Sequence, residues 1–134
     1  MRAMSSVFLG AAWLLAAVPA VPHHSFTAEF DVNRPIALTG TVTRVEWTNP
    51  HAWLFIDVDV DVDVEDDDNN VQSWAIELLG INTLLRRGWT RDTVKAGDIV
   101  DVEGFGARDG TNTGNASALG MANTGERLWE SSDK

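Results

Sequence analysis

The sequence predicts an all-β domain with one short helix, in the order β-β-β-α-β-β. Within residues 52–64, apolar residues and aspartates alternate strictly from Ile56 to Val64, which is typical of a half-buried strand. Four further apolar segments of strand length are separated by turn-forming residues. The stretch INTLLRRGW, in contrast, has the apolar spacing of a short helix.

The first predicted strand, residues 36–47, contains a change of side-chain parity. Ile36, Leu38 and Val42 share one face, whereas Val45 and Trp47 have the opposite parity. Such a change requires a β-bulge or a sharp bend. Gly40 supplies backbone freedom close to this point, so we expect a long, bent first strand.

The second predicted strand, residues 52–64, is followed by a third at residues 71–79. The polar segment EDDDNN between them predicts a hairpin turn. In the third strand Trp74, Ile76 and Leu78 share one face. The second strand has an apolar face of Leu54, Ile56, Val58, Val60, Val62 and Val64, opposite Asp57, Asp59, Asp61 and Asp63.

The helix is expected between the third and fourth strands. Asn82 is a suitable N-cap, and Gly88 can end the helix in a left-handed conformation. Leu84, Leu85 and Trp89 would then face the core. The remaining strands are expected at residues 99–105, 116–121 and 127–129.

This element order, with its bent first strand, is similar to the OB-fold, a five-stranded and partly open Greek-key barrel. We therefore expect a small OB-like barrel of five to six strands. An SH3-like barrel or an irregular β-sandwich is the alternative.

Residues 1–20 have the pattern of a secretory signal peptide. Arg2 precedes an apolar run, which ends before the small residue Ala20. The run is too short to span the roughly 30 Å core of a bilayer. We expect cleavage before Val21, a periplasmic or secreted location and no stable membrane span after cleavage. The mature chain is then expected to have an N-terminal arm at residues 21–35, a barrel at 36–130 and a frayed tail at 131–134.

Composition argues against several classes of function. The formal net charge is −10, whereas binding of a phosphate backbone needs a basic face, so we expect no nucleic-acid partner. The absence of cysteine excludes disulfides, thiolate metal sites and thiol catalysis. Neither G-x-S-x-G nor a P-loop motif occurs. Glu77 and Glu103 lie on different predicted strands, and the sequence assembles no acid–base or nucleophile constellation, so we expect no enzyme.

The three histidines lie in two short motifs, His23 and His24 in VPHHSF and His51 in WTNPHAW. Neutral imidazole is the commonest protein metal ligand, and three imidazoles could bind copper or zinc without a thiolate. An N-terminal arm folded across the barrel would bring His23 or His24 to His51. The alternative is that His23 and His24 lie on a solvated arm and that His51 only caps its loop. Pro22 has no N–H, which blocks the square-planar copper mode of a third-position histidine.

Residues 57–68 hold 8 of the 20 acidic residues. Their D-x-D-x-D spacing resembles a calcium loop, but Val62 stands where an EF-hand loop needs glycine. We interpret this run as a solvated strand face whose like charges discourage pairing with other chains.

Aromatic side chains predict a second kind of site. Trp53 and Phe55 share the parity of the aspartates and lie opposite the valine face. With Trp47 and Asn49 they would form a face for a small ligand or a protein partner, because OB-folds bind ligands on such faces. Packing of these rings in the core is the alternative.

Five segments of the sequence resemble a family of small exported bacterial proteins of unknown function. They are HHSFTAEFD, LTGTVTRVEWTNPHAW, LLRRGWTRD, VKAGDIVDVEGF and DGTNTGNA. The resemblance covers roughly residues 23–127 and implies export, but it carries no activity. Two features depart from the family: Val21-Pro22 precedes the histidines, and the acidic hairpin is longer. The function we expect is non-catalytic binding of a metal, a small ligand or a periplasmic protein. The alternative is an accessory or structural subunit of an exported oxidoreductase system.

Processing of the leader gives a direct test. We expect the exported protein to begin at Val21, because Val18 and Ala20 suit the positions before a cleavage site. The intact mass of protein recovered after export measures this, and a chain that retains Met1 would contradict the leader and the location together.

Overall fold

The computed structural model describes residues 25–60 and 70–131, which form two short helices and six strands. The predicted leader, His23 and His24, residues 61–69 of the acidic hairpin and the last three residues lie outside the described residues. The elements are α1 (Phe26–Glu29), β1 (Phe30–Glu46), β2 (Trp53–Asp59), β3 (Val71–Glu77), α2 (Ile81–Arg86), β4 (Ile99–Ala107), β5 (Thr113–Met121) and β6 (Arg127–Glu130).

The strands follow one another across the sheet in the order β3-β2-β1-β4-β5-β6, and each neighbouring pair is antiparallel. A short parallel pairing between β3 and β5 also connects the first strand of this order to the strand next to its last. The chain is thus mostly β and OB-fold-like, which confirms the predicted fold class. The pairing of β2 with β3 also confirms the predicted hairpin.

Strand β1 begins earlier than expected. Phe30 is buried and pairs with Ala107 of β4, so residues 30–35 belong to the sheet and not to a free arm. Burial of the Phe30 ring gives this segment an apolar anchor that composition alone did not indicate. The described residues of the expected arm that lie outside the sheet are Ser25 and α1.

The parity change within β1 is confirmed. The register between β1 and β2 shifts between Val42 and Arg44, as a β-bulge requires. Gly40 has a different role from the one expected, because a Cβ at this position would lie 2.8 Å from the carbonyl oxygen of Asp57. The glycine therefore allows β1 and β2 to approach closely.

The core is built from the inward faces of the strands. Leu54 and Ile56 are fully buried, Val58 packs against the core and Asp59 is exposed, so the alternation is confirmed within β2. The buried cluster comprises Val42, Ala52, Leu54, Ile56, Trp74, Ile76, Leu78, Leu84, Trp89, Val94, Val100, Val102, Ala116, Leu119 and Trp129.

Helix α2 packs one face on this core. Its N-cap is Gly80, so the predicted cap at Asn82 is wrong, and Gly88 adopts a left-handed conformation as predicted. Leu84 and Trp89 are buried, whereas Leu85 is 52% exposed, contrary to expectation. Leu85 points about 100° away from Leu84 around the helix axis, and α2 is oriented so that this direction faces solvent.

The two faces of β2 should respond differently to substitution. Ile56→Ala should lower the free energy of unfolding by about 2–5 kcal/mol, because it leaves a cavity in a fully buried position. Asp59→Ser on the exposed face should change it by no more than about 0.5 kcal/mol. Urea unfolding measures both, and equal losses would contradict the assignment of the faces.

Candidate functional site

His51 is held beside the end of β3 by backbone hydrogen bonds of its neighbour. The Ala52 N–H donates to the Leu79 carbonyl at 3.1 Å, and the Leu78 N–H donates to the Ala52 carbonyl at 2.9 Å. These bonds extend the β2–β3 ladder beyond β2, and the loop before them contains a cis Asn49–Pro50 peptide bond. His51 therefore has a defined position on the rim of the barrel.

The imidazole of His51 contacts a buried carboxylate. Its Nδ1 meets Oε1 of Glu77, which is only 8% exposed and lies directly opposite Trp53 in the β2–β3 register. The second oxygen of Glu77 accepts a hydrogen bond of 3.3 Å from Nδ2 of Asn115 on β5. Both carboxylate oxygens are thus engaged, which offsets the cost of removing this group from water.

This contact defines how the ring can be used. A carboxylate at Nδ1 orients the imidazole and leaves Nε2 as the nitrogen for a further partner. The His51 side chain is 45% exposed, so a ligand can reach it from solvent. A neutral imidazole in this setting can bind a metal ion, and a protonated one can form an ion pair with Glu77.

Helix α1 is attached to the barrel at two points. The ring of Phe26 lies edge-on to that of Phe105, with centroids 5.9 Å apart. The Arg108 Nε donates to the Thr27 carbonyl at 2.6 Å, and the Arg108 backbone N–H donates to the Glu29 carbonyl at 2.9 Å. The chain that leads to His23 and His24 is therefore fixed on β4 and on the loop after it.

This attachment lies on the same outer face as Glu77. Phe105 is the register partner of Asn115, and Asn115 is the register partner of Glu77. Cross-strand partners point to the same side of a sheet, and neighbouring strands are about 4.8 Å apart. Phe105 and Glu77 are thus about 10 Å apart on this basis, and α1 lies on the His51 side of the barrel.

Trp53 and Phe55 also lie on this outer face, and each is half-buried. Trp53 borders an open recess of about 340 Å³, which is also lined by residues of α1 and of the β4–β5 loop. Phe55 borders a second cavity of about 370 Å³, and the guanidinium of Arg44 lies 4.0 Å from its ring centroid. The outer face thus has two recesses, each with an aromatic wall.

The two other residues expected on this face lie elsewhere. Trp47 packs against the core from the inward side of the sheet, with Arg91 5.9 Å from its ring centroid. Asn49 is exposed in the β1–β2 loop. The bulge in β1 causes this separation, since it reverses the parity of the residues that follow it.

The β4–β5 loop is braced by its own polar groups. The Thr111 hydroxyl and backbone N–H donate to Asp109 at 2.7 and 3.0 Å. The hydroxyl bond, followed by the backbone bond, lowers the pKa of Asp109 from its ordinary value. Arg34 donates to the Ala107 carbonyl at 2.7 Å from the other side. These hydrogen bonds hold the loop in one conformation, in which it lines one side of the recess beside Trp53.

Sequence reasoning missed Glu77, Asn115 and Arg108 as parts of this site. The sequence suggests Glu77 only as a possible acid–base partner of Glu103, and the carboxylate of Glu103 instead lies 3.6 Å from Arg127, away from the site. The available signal was the outward parity of Glu77, opposite Trp53 in the predicted hairpin. Within residues 25–60 and 70–131, no three His, Cys, Asp or Glu side chains are grouped to hold a metal.

Comparison with known proteins adds the family. Residues 12–116 match DUF6152, a family of unknown function. The chain belongs to this family. No curated protein sequence matches it. Among the described residues, no helix is both long and apolar enough to cross a membrane.

Solved structures of low similarity resemble this DUF6152 chain. The mitochondrial single-stranded DNA binding protein Rim1 of S. cerevisiae is 14% identical, with a TM-score of 0.46 over 66% of this chain and 92% of Rim1. TiaS in its complex with an isoleucine tRNA and ATP is 18% identical, with a TM-score of 0.42 over 66% of this chain and 18% of TiaS.

The contact between His51 and Glu77 should be measurable as a coupling energy. In a double-mutant cycle of His51→Ala and Glu77→Gln, we expect the two losses of unfolding free energy to differ from additivity by about 1 kcal/mol. The physical reason is that either change leaves the other side chain without its partner. Urea unfolding of the four proteins measures this, and a cycle of His51→Ala with Glu103→Gln should show no coupling. Additivity in the first cycle would contradict the contact.

Proposed function

We propose that this protein is an exported, non-catalytic binding protein that holds a copper or zinc ion with His51 and one or both of His23 and His24. The observation that carries the proposal is the contact of the Glu77 carboxylate with Nδ1 of His51. Histidines that bind metals typically donate the other ring N–H to a carboxylate or carbonyl in this way. Nε2 would then be the metal-binding atom.

The position of α1 supports the participation of the N-terminal histidines. His24 precedes Ser25, the first described residue, and Phe26 lies on Phe105 about 10 Å from Glu77. Three residues of extended chain cover about 10 Å. The chain that carries His23 and His24 is thus long enough to bring an imidazole to His51 across the outer face.

The donor set favours copper. Imidazole nitrogens suit copper, nickel and zinc, and the Irving–Williams order places Cu(II) above the other two. The net charge of −10 adds a weak attraction for any cation. This attraction is screened by salt, whereas coordination is not, so the two contributions can be separated.

A small ligand on the aromatic face is a second candidate. It is favoured by the two cavities that adjoin Trp53 and Phe55, whose volumes lie within the range of small-molecule sites. The wall formed by Trp53 would provide stacking area, and Thr111 and Thr113 would provide hydroxyl groups. This site adjoins the metal site without sharing its donors.

Titration with Cu(II) tests the metal site. We expect the mature chain to bind one Cu(II) with a spectrum of nitrogen coordination at about 0.15 M salt, where surface attraction is screened. His51→Ala and the double variant His23→Ala/His24→Ala should each weaken binding by about tenfold or more. Binding should also be lost on acidification, because protons compete with the metal for imidazole.

Two carboxylate variants provide the matched control. Glu77→Gln should weaken binding by about 10–100-fold through loss of the orienting contact, whereas Glu103→Gln removes the same charge and should leave affinity unchanged. Binding by His51→Ala as tight as that of the parent would overturn the shared site. Loss in the double variant alone would mean that the N-terminal histidines act without the barrel, and the proposal would fail.

A further inference from the structure

The basic side chains of this acidic protein differ in whether a carbonyl or carboxylate oxygen lies close to their charge. In the part of the chain that the structure describes, Arg34 and Arg108 donate to backbone carbonyls, as noted above. Arg44, Lys95 and Arg127 lie within 4.0 Å of carboxylates. These five side chains therefore have local acceptors for their charge.

Three arginines differ from the rest. Arg86, Arg87 and Arg91 are exposed, and no carboxylate of the described residues lies within ion-pairing distance of them. Arg86 donates only to the Thr83 hydroxyl at 3.2 Å, and Arg91 lies over the ring of Trp47. Within residues 25–60 and 70–131, positive charge without a carboxylate partner is thus concentrated at the end of α2 and in the turn after it.

Apolar side chains accompany these arginines. Leu85 projects into solvent with 52% of its surface exposed, and Trp47 is half-buried beside Arg91. We call the group of Trp47, Leu85, Arg86, Arg87 and Arg91 the arginine cap. Its three arginines, less the charge of the nearby Asp92, give this surface a net charge of +2.

We infer that the arginine cap docks on an anionic phospholipid surface. Guanidinium groups bind phosphate oxygens in a bidentate manner, and the exposed Leu85 and the partly exposed Trp47 are side chains that suit the interface between headgroups and acyl chains. A stable complex with a protein partner would bury about 800 Å² of surface on each partner, with an apolar centre. A single exposed leucine at the end of a helix does not supply such a centre. A lipid surface needs only the few side chains that the cap has.

The described aspartates of β2, Asp57 and Asp59, do not prevent this docking. Asp57 and Asp59 pair with Ser73 and Val71 at the start of β3, whereas α2 follows the opposite end of that strand. The seven residues of β3 span about 20 Å. Screening at physiological salt acts over about 8 Å, so a surface in contact with the cap experiences little repulsion from this acidic row.

Flotation of the mature chain with vesicles tests the inference. We expect binding to vesicles of phosphatidylglycerol in phosphatidylcholine, no binding to phosphatidylcholine alone, and loss of binding at high salt. Arg87→Gln should weaken binding about fivefold, which corresponds to about 1 kcal/mol per basic side chain at such a surface. Leu85→Ala should also weaken it.

Two matched controls isolate the cap. Arg127→Gln changes the net charge by the same amount as Arg87→Gln at an exposed arginine elsewhere, and Val32→Ala removes an apolar side chain that is also 52% exposed. Both should bind like the parent, with unchanged thermal unfolding in all variants. Equal effects of Arg87→Gln and Arg127→Gln would show that only net charge matters and would overturn the assignment to the cap.

Further arms distinguish other anionic partners. Saturation of the cap by inorganic phosphate, with no effect of Leu85→Ala, would indicate a site for a soluble anion and would overturn docking on a bilayer. Retention on immobilised poly-glutamate through Arg87, without any vesicle binding, would assign the cap to an acidic protein segment and overturn the inference. Failure of the parent to bind either kind of vesicle would likewise refute it.

Discussion

The fold depends on the double pairing of β1. This strand of 17 residues pairs with β4 through its first part and with β2 through its second part. Thr41 pairs with both strands, so β2 and β4 are neighbours of β1 on its opposite edges. Just beyond Thr41, the bulge between Val42 and Arg44 bends β1 and reverses the side-chain parity of the residues that follow.

The strongest constraint on the site is the burial of Glu77. A carboxylate with so little exposure is stable only when its oxygens have partners. The partners come from the β1–β2 loop and from β5, so the loop position, the β2–β3 register and the β3–β5 pairing must all be correct together. The same requirement that stabilises the carboxylate also orients His51, which links the packing of the barrel to the chemistry of its rim.

Charge and aromatic surface are distributed over different parts of the barrel. The aspartates of β2 lie towards the hairpin, and the histidine and its carboxylate lie on the rim. The arginines that have no carboxylate of residues 25–60 or 70–131 within ion-pairing distance lie at the end of α2 and in the turn after it. The aromatic side chains are divided in the same way, since Trp53 and Phe55 face outward and Trp47 joins the opposite side. This separation allows one small domain to present several chemically distinct surfaces.

The sequence by itself determined the succession of strands along the chain, the alternation of β2, the parity change in β1 and the shared parity of Trp53 and Phe55. These features are local, because hydrophobic periodicity and turn residues act over a few positions. The tertiary structure decided that β1 begins at Phe30, that Leu85 faces solvent, and that Glu77 meets His51 and Asn115. These features depend on contacts between residues distant in sequence, and their register is set by pairing and burial across the whole barrel, which no local pattern contains.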